Sequence, residues 1–423
     1  MSWFWVILGL LLLILLHELG HFSVARLVGA KATRFLVGFP PVALSFRRGE
    51  TEYGIGLIPL GGYVRIVGMT RPMPEDVIVC QDAIEEIDLR RPEGQRDLLG
   101  PATATLKSAI AAEASAAECQ TAADRAVLAL DADQHLLHPK TYKETRKHLE
   151  RLRDDLDRRA YWRLPVWKRI SIILAGPGAN VLVALVILTI FFWQGVPLQK
   201  PTTDVANVSG KPAAAAGLLP GDTITAVNGK AVNGDWKLVS ADVQAAKGAP
   251  VTLTVQRDGT TQTLTAVKPE NVDGRWLLGF SFQQQSDGVR RESLPAAAAD
   301  SVRWSWFVTK ESLTGLTRIV TTSDGHKQVS SIVGITAASE NSVQDGSFLW
   351  MLGVISLALA IFNLLPFLPL DGGHIVIALA EKLRHGRPLS RVLIERISIV
   401  GIALVLVLFV IGLNNDISRF TGP

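Results

Sequence analysis

The sequence is poor in several of the residues on which small folds and sites depend. Its two cysteines, Cys80 and Cys119, are too few for a disulfide framework, and neither lies near a histidine pair at zinc-finger spacing. Eight histidines leave little material for metal binding outside one short cluster. The net charge of +4 gives no support to a nucleic-acid partner, because the basic residues sit beside apolar runs and form no patch. No basic residue precedes the first apolar run and no small-residue cleavage site follows it, so that run is expected to stay attached. Internal repeats and low-complexity linkers are lacking as well.

Apolar length is what the chain has in quantity. Runs almost free of charge cover residues 3–16 continuing into Phe22, 170–196, 348–370 and 393–413, each long enough for ~30 Å of hydrocarbon. They predict a polytopic α-helical membrane protein with four transmembrane helices, assigned to residues 1–34, 161–196, 345–376 and 388–415. Basic residues collect after the first run (Arg26, Lys31, Arg34, Arg47, Arg48), before the second (Arg158, Arg159, Arg163, Lys168, Arg169) and between the last two (Lys382, Arg384, Arg387, Arg391). Such flanks are retained in the cytoplasm. The expected topology is N-terminus outside, 30–168 inside, 197–347 outside, 375–391 inside and C-terminus outside.

The segments between the spans differ in composition. Residues 35–69, rich in glycine and β-branched or aromatic residues with turn signals at Gly38-Phe39-Pro40 and Arg48-Gly49-Glu50, read as β-hairpins. Their apolarity suits a membrane-associated sheet, with a small soluble β-cap as the alternative. Residues 70–160, rich in Ala, Glu, Asp, Arg and Leu, predict a cytoplasmic helical hairpin in which His135, His138 and His148 are surface residues. Residues 202–283 alternate short strands with turns and a short helix, an α+β module expected on the extracytoplasmic side. Its AAAAGLLPGDTITAVNGKAV string resembles the PDZ domains of bacterial proteases, although no Gly-Leu-Gly-Phe-like loop precedes Val205. Residues 295–320 space Trp304, Trp306, Phe307, Leu313 and Leu316 as an amphipathic surface helix does, while Arg303, Lys310, Glu311 and Arg318 disfavour a fifth crossing.

The chemistry begins at His17-Glu18-Leu19-Gly20-His21. On a helix the i, i+4 spacing puts both imidazoles on one face, able to share one Zn²⁺, with Glu18 beside it to take a proton from water. Two histidines and a glutamate ending an apolar span would cost several kcal/mol without such a use. A catalytic zinc needs a third ligand, and no acid or histidine follows His21 before Glu50. Asp371, in NLLPFLPLDGGH at 363–374, is the acidic residue at matching depth, since the first and third spans run in the same direction. Pro366, Pro369, Gly372 and Gly373 should unwind the chain there and let backbone groups line a polar cavity. Asn363 can bond a substrate carbonyl or a developing oxyanion, or instead a neighbouring helix. His374 is a conceivable fourth ligand, with a role off the metal preferred because three ligands and water suffice.

These motifs resemble those of the site-2 protease family of intramembrane metalloproteases, in particular bacterial members with an extracytoplasmic PDZ domain. The resemblance covers residues 1–70, 161–290 and 329–419. HELGH and residues 363–373 correspond to the family's two signatures, 54–69 to its β-hairpin, and WKRISIILAGPGAN at 167–180 to its second span. It implies zinc held by His17, His21 and Asp371, Glu18 as general base, and Asn363 handling substrate. Implied substrates are single-span membrane proteins, such as anti-sigma factors or remnant signal peptides, cut second in a cascade in a bacterial inner membrane. An edge strand over Gly54–Met69, with Gly54, Ile55, Gly56, Leu57 and Ile58 as its candidate contact residues, is expected to pair with unwound substrate. The long 70–160 insert and the absence of Gly-Pro at 330–334 depart from the family pattern. The readings outside this class are a non-proteolytic zinc-binding PDZ scaffold and a zinc transporter, the latter lacking a file of ligands across the bilayer.

Overall fold

The computed structural model describes residues 2–209, 211–272, 274–321 and 348–421. It divides into two units, Met1–Ile190 with Ala298–Pro423, and Phe191–Ala297. In the first unit the apolar runs become α1 (Ser2–Leu27), α6 (Val166–Gln194) and α12 (Arg391–Thr421). Among the described residues, three stretches are long and apolar enough to cross a membrane: Phe4–Leu27, Val166–Gln194 and Arg391–Ile417. The expected third span is divided. An apolar α10 (Phe348–Asn363) of 16 residues stops before Pro366 and Pro369, residues 364–370 are irregular, and α11 (Asp371–Leu383) starts afresh. Residues 330–334 lie outside the described residues.

After α1 the chain forms two long bent strands, β1 (Ala32–Arg48) and β2 (Thr51–Ile66), reversing at Gly49-Glu50. Each is used twice. Residues 42–48 pair with 51–56, while residues 32–37 pair with 62–66 on one side and with 52–55 on the other. The result is a four-stranded layer in the order 42–48, 51–56, 32–37, 62–66, whose outermost segments have no further strand partner among the described residues.

Where the sequence predicted a helical hairpin between residues 70 and 160, four α-helices stand: α2 (Gln81–Arg90), α3 (Leu99–Ala111), α4 (Ala116–Ala132) and α5 (Pro139–Asp155). The breaks were written in local chemistry. Pro92 and Gly94 end the first helix, Ser115 and Glu118 form a reciprocal capping box at α4, and Pro139 occupies the first turn of α5. Leu99, Leu106, Leu130, Leu149 and Leu156 form one apolar core with both cysteines, which are buried and unpaired. This bundle meets the rest of its unit through charges. Lys31, just after α1, bonds Asp154 at 2.9 Å and Asp157 at 3.1 Å, and Arg159 grips Glu50 at 2.6 and 2.8 Å. The Arg159 guanidinium holds the Glu50 carboxyl below the usual range. Asp76 pairs with Arg391 at the start of α12.

The second unit contains β3 (Val196–Val208), α7 (Lys211–Ala216), β4 (Thr223–Val227), β5 (Lys230–Ala231), α8 (Trp236–Ala245), β6 (Leu253–Arg257), β7 (Thr260–Thr263), β8 (Glu270–Val272), β9 (Arg275–Leu277) and β10 (Phe280–Arg290). Its main sheet runs β10-β3-β4-β6-β7, with β5 beside β4 and β8 paired separately with β9. The inward residues Val205, Ile224, Val227, Val239, Leu253 and Val255 make its core. Buried Asp222 is held by Arg257 through two bonds of 2.6 and 2.7 Å, which keep its carboxyl below the usual range. The aromatic-rich segment after this module is helical as expected, forming α9 (Leu294–Thr321). Trp304 packs on Trp350 of α10, Ser301 accepts a bond from Thr189 of α6, and Trp306 and Phe307 are exposed.

Candidate metal centre

His17 and His21 lie one turn apart on α1 and are both buried. Their Nε2 atoms are 3.2 Å apart, and Asp371 Oδ2 lies 3.1 Å from that of His17 and 3.2 Å from that of His21. Among the described residues this trio is the group of three able to hold a metal ion. Asp371 reaches the imidazoles because it begins α11, immediately after the proline-broken stretch. The broken backbone and the new helix nest tightly, since a methyl on Gly372 would overlap the carbonyls of Leu364 and Leu365.

The surrounding hydrogen bonds test whether the donors suit a metal. His21 Nδ1 lies 2.8 Å from the Ile172 carbonyl, which can only accept, so Nδ1 carries the proton and Nε2 keeps its lone pair for the centre. His17 Nδ1 lies 3.2 Å from the Asn180 side-chain nitrogen, while the buried Asn180 Oδ1 has no partner. Turning that amide over, an assignment that follows from the hydrogen-bond network, makes Oδ1 the acceptor of a His17 Nδ1–H. Both Nε2 lone pairs then face Asp371. Ligands bound at about 2.0–2.1 Å in a tetrahedron stand roughly 3.3 Å apart, close to the three separations present here. Two imidazoles and a carboxylate thus fit Zn²⁺.

One face of α6 backs the centre. Ile172 and Asn180 orient the histidines, and between them Gly176 passes so close that a methyl there would overlap both imidazole rings. Gly20 on α1 likewise meets the backbone of Ala175, and Ser356 of α10 donates to the Asn180 carbonyl at 2.8 Å. In the sequence, residues 167–180 stand out only as part of a span. Gly-Pro-Gly-Ala-Asn, a polar and glycine-rich interruption in an apolar helix, was the available signal of a close approach to a site.

Glu18 sits between the metal ligands and the sheet. Its stem packs against Gly62, which brings its carboxylate to the 62–66 strand. Positions along the expected 54–69 strand differ in their surroundings. Gly54 has Leu36 on one side and Ser45 on the other, and Ile55 lies between Val37 and Leu44, so both are interior. Gly56 pairs with Val42 and packs on the Phe39 backbone, while Leu57 and Ile58 lie further along β2 and are exposed. The strand beside Glu18 is 62–66, because the doubled-back β1 takes the interior position. Asn363 ends α10 half-buried, and among the described residues its amide has no hydrogen-bond partner, so the helix-bridging alternative is not realised. His374 is one turn beyond Asp371 and lines a cavity of about 250 Å³ with Tyr161, Arg169 and Glu381.

In the second unit a cleft of about 300 Å³ runs between α8 and the start of β10, lined by Val239, Val243, Leu278, Phe280 and Phe282. Its rim carries Leu277-Leu278-Gly279-Phe280, where β9 ends and β10 begins.

Three apolar helices of membrane-spanning length, with two imidazoles, one carboxylate and an adjacent glutamate, define a membrane metallopeptidase-type centre. The chain belongs to peptidase family M50, the site-2 protease family, whose model matches residues 5–408. It is 30% identical over 426 residues to the regulator of sigma-W protease RasP of Bacillus subtilis, covering 96% of each chain. It is 29% identical to zinc metalloprotease RasP of Geobacillus kaustophilus over 96% of each, and 28% identical to zinc metalloprotease Rip1 of Mycobacterium tuberculosis over 89% of this chain and 85% of that one.

Proposed function

We propose that this membrane protein cuts single-span proteins within or at the edge of the bilayer, as the second step of a proteolytic cascade. It is a zinc metalloendopeptidase. In this reading His17, His21 and Asp371 hold Zn²⁺, Glu18 is the general base, and Asn363 binds substrate. The observation that carries it is the convergence of the three ligand atoms within 3.2 Å of one another beside Glu18. Zinc, when bound, polarises a carbonyl and lowers the pKa of water towards about 7. Glu18 takes the proton from the attacking water and returns it to the leaving amine. The unpaired Asn363 amide faces no competitor for a substrate carbonyl.

A helical substrate hides its carbonyls and must be unwound before hydrolysis. Within the 54–69 strand we assign its extended pairing to residues 62–66, since Gly62 packs against the Glu18 stem. The fourth crossing is α10 with the irregular stretch after it. Sixteen helical residues reach only about 24 Å, and non-helical backbone at depth is tolerated where it lines a cavity. Positive flanks support both termini lying outside the inner membrane of a bacterium. Residues 202–283 are read as a PDZ module in which the α8–β10 cleft receives an extended peptide or the fold excludes bulky ectodomains. The relative named as regulator of sigma-W protease favours anti-sigma-factor-like substrates.

The deciding measurement is zinc analysis of the purified chain, followed by mass-spectrometric mapping of a reconstituted transmembrane substrate, wild type against Glu18→Gln. Zinc retained with cleavage lost in the variant is expected. Cleavage that persists would remove Glu18 from its role, and a wild type that binds zinc yet cuts nothing would leave a zinc-binding scaffold.

A further inference from the structure

The metal ligands come from two helices, and only α1 presents its pair by helical spacing alone. Asp371 is carried by α11, a separate rod joined to α10 through irregular residues 364–370, so helix continuity does not fix its direction. Two points define a rod. At the N-terminal end, Gly372 and Gly373 are seated against the backbone of residues 364–368. Near the C-terminal end, Glu381 accepts a 2.7 Å bond from the Arg169 guanidinium in a pair that is only 15% and 8% exposed.

Arg169 belongs to the same face of α6 as Ile172, Gly176 and Asn180, at successive steps of three, four and four residues. Ile172 and Asn180 orient His21 and His17. Arg169 is itself fixed, with its guanidinium carbon 5.2 Å from the Tyr161 ring centroid and its carbonyl accepting from the buried Tyr161 hydroxyl. Such a pair is a poor source of net stability, because the desolvation of both ions offsets their attraction. Its directional value is large, since a metal centre tolerates misplacement of only about 0.5 Å.

We propose that Arg169 and Glu381 are positioning residues for the metal centre. The pair references α11, and through it Asp371, to the α6 face that already orients both histidines. The inference rests on the ligand set proposed above.

The test uses the full-length purified chain, with zinc affinity measured by chelator competition, the absorption spectrum of the Co²⁺-substituted protein as a report of ligand geometry, and cleavage of a reconstituted transmembrane substrate. Glu381→Gln and Arg169→Lys keep the side-chain volume and are expected to weaken zinc binding about 10–100-fold, as loss of an outer partner does. The Co²⁺ bands should shift, and at saturating zinc kcat should fall while KM stays within about twofold, because neither residue touches substrate. The exchange Arg169→Glu with Glu381→Arg should recover much of the zinc affinity lost in either single change. Zinc affinity and Co²⁺ bands unchanged in both conservative variants overturn the proposal. If the single variants fail to fold, an exchange that folds but binds zinc no better than about 10-fold below wild type also overturns it, leaving the pair merely structural. His21→Ala is the control: if it keeps wild-type zinc affinity, the ligand assignment fails and not the positioning.

Discussion

The metal centre and the helical bundle at residues 81–155 belong to one unit yet are built on opposite plans. The bundle draws its core from within about seventy-five residues of chain, from leucines at helical spacing, and touches the rest mainly through Lys31, Glu50, Arg159 and the Asp76–Arg391 pair. The centre collects His17, Asn180 and Asp371 from three separate helices, and its ring nitrogens and the Asp371 carboxylate face one another or a polar group of α6. Local apolar packing loses energy gradually when trimmed. A convergent polar site fails when one direction is lost, because each group left behind is buried without a partner.

That contrast can be broken in graded steps. Glu18→Gln should lower turnover by about 10²–10⁴-fold with zinc content unchanged, the range expected for a lost general base, read by single-turnover cleavage and metal analysis. Next, Asn180→Ala should weaken zinc binding about 10–100-fold through an unfixed His17 ring, measured by chelator competition. Gly176→Ala belongs with it in direction, since the added methyl overlaps both imidazoles. In the bundle, Leu130→Ala should destabilise by about 2–5 kcal/mol, seen as faster hydrogen exchange over residues 81–155, with zinc affinity unaltered. A change in zinc affinity there would erase the distinction between the two regions.

The smallest effect concerns Glu50, whose carboxyl is held low by Arg159 and is more than half exposed. A lowered folded value means that the pair stabilises above the unfolded pKa of about 4.3 and that the contribution is lost as pH falls through the folded value. Surface exposure limits it to about 0–1 kcal/mol. Glu50→Gln should therefore mimic acid only weakly in exchange at the 49–50 turn.

Much of this was legible before any fold was known. Apolar run length marked four candidate spans, three of which are helices long and apolar enough to cross among the described residues, and the histidine spacing with the proline-broken aspartate segment pointed to the three side chains that converge, because helical periodicity and proline chemistry act locally. The capping box at Ser115 and the proline at 139 were equally readable, and they divide the insert into more helices than composition suggested. The β-layer resisted. Alternation reveals that residues 35–66 are strands, yet their order follows from bending each strand back on itself. That bending gave Gly54 and Ile55 strand partners on both edges and left 62–66 beside Glu18.

The sequence alone determined which atoms can bind a metal and that the histidine pair lies on a membrane-length helix while the aspartate follows a proline-broken apolar run, since these depend on residue type and on spacing within a few turns. Tertiary structure alone decided that α6 stands behind them, with a carbonyl, a bare glycine and an amide setting ring orientation. Directions between segments more than a hundred residues apart are fixed by packing, and no periodicity along the chain encodes them.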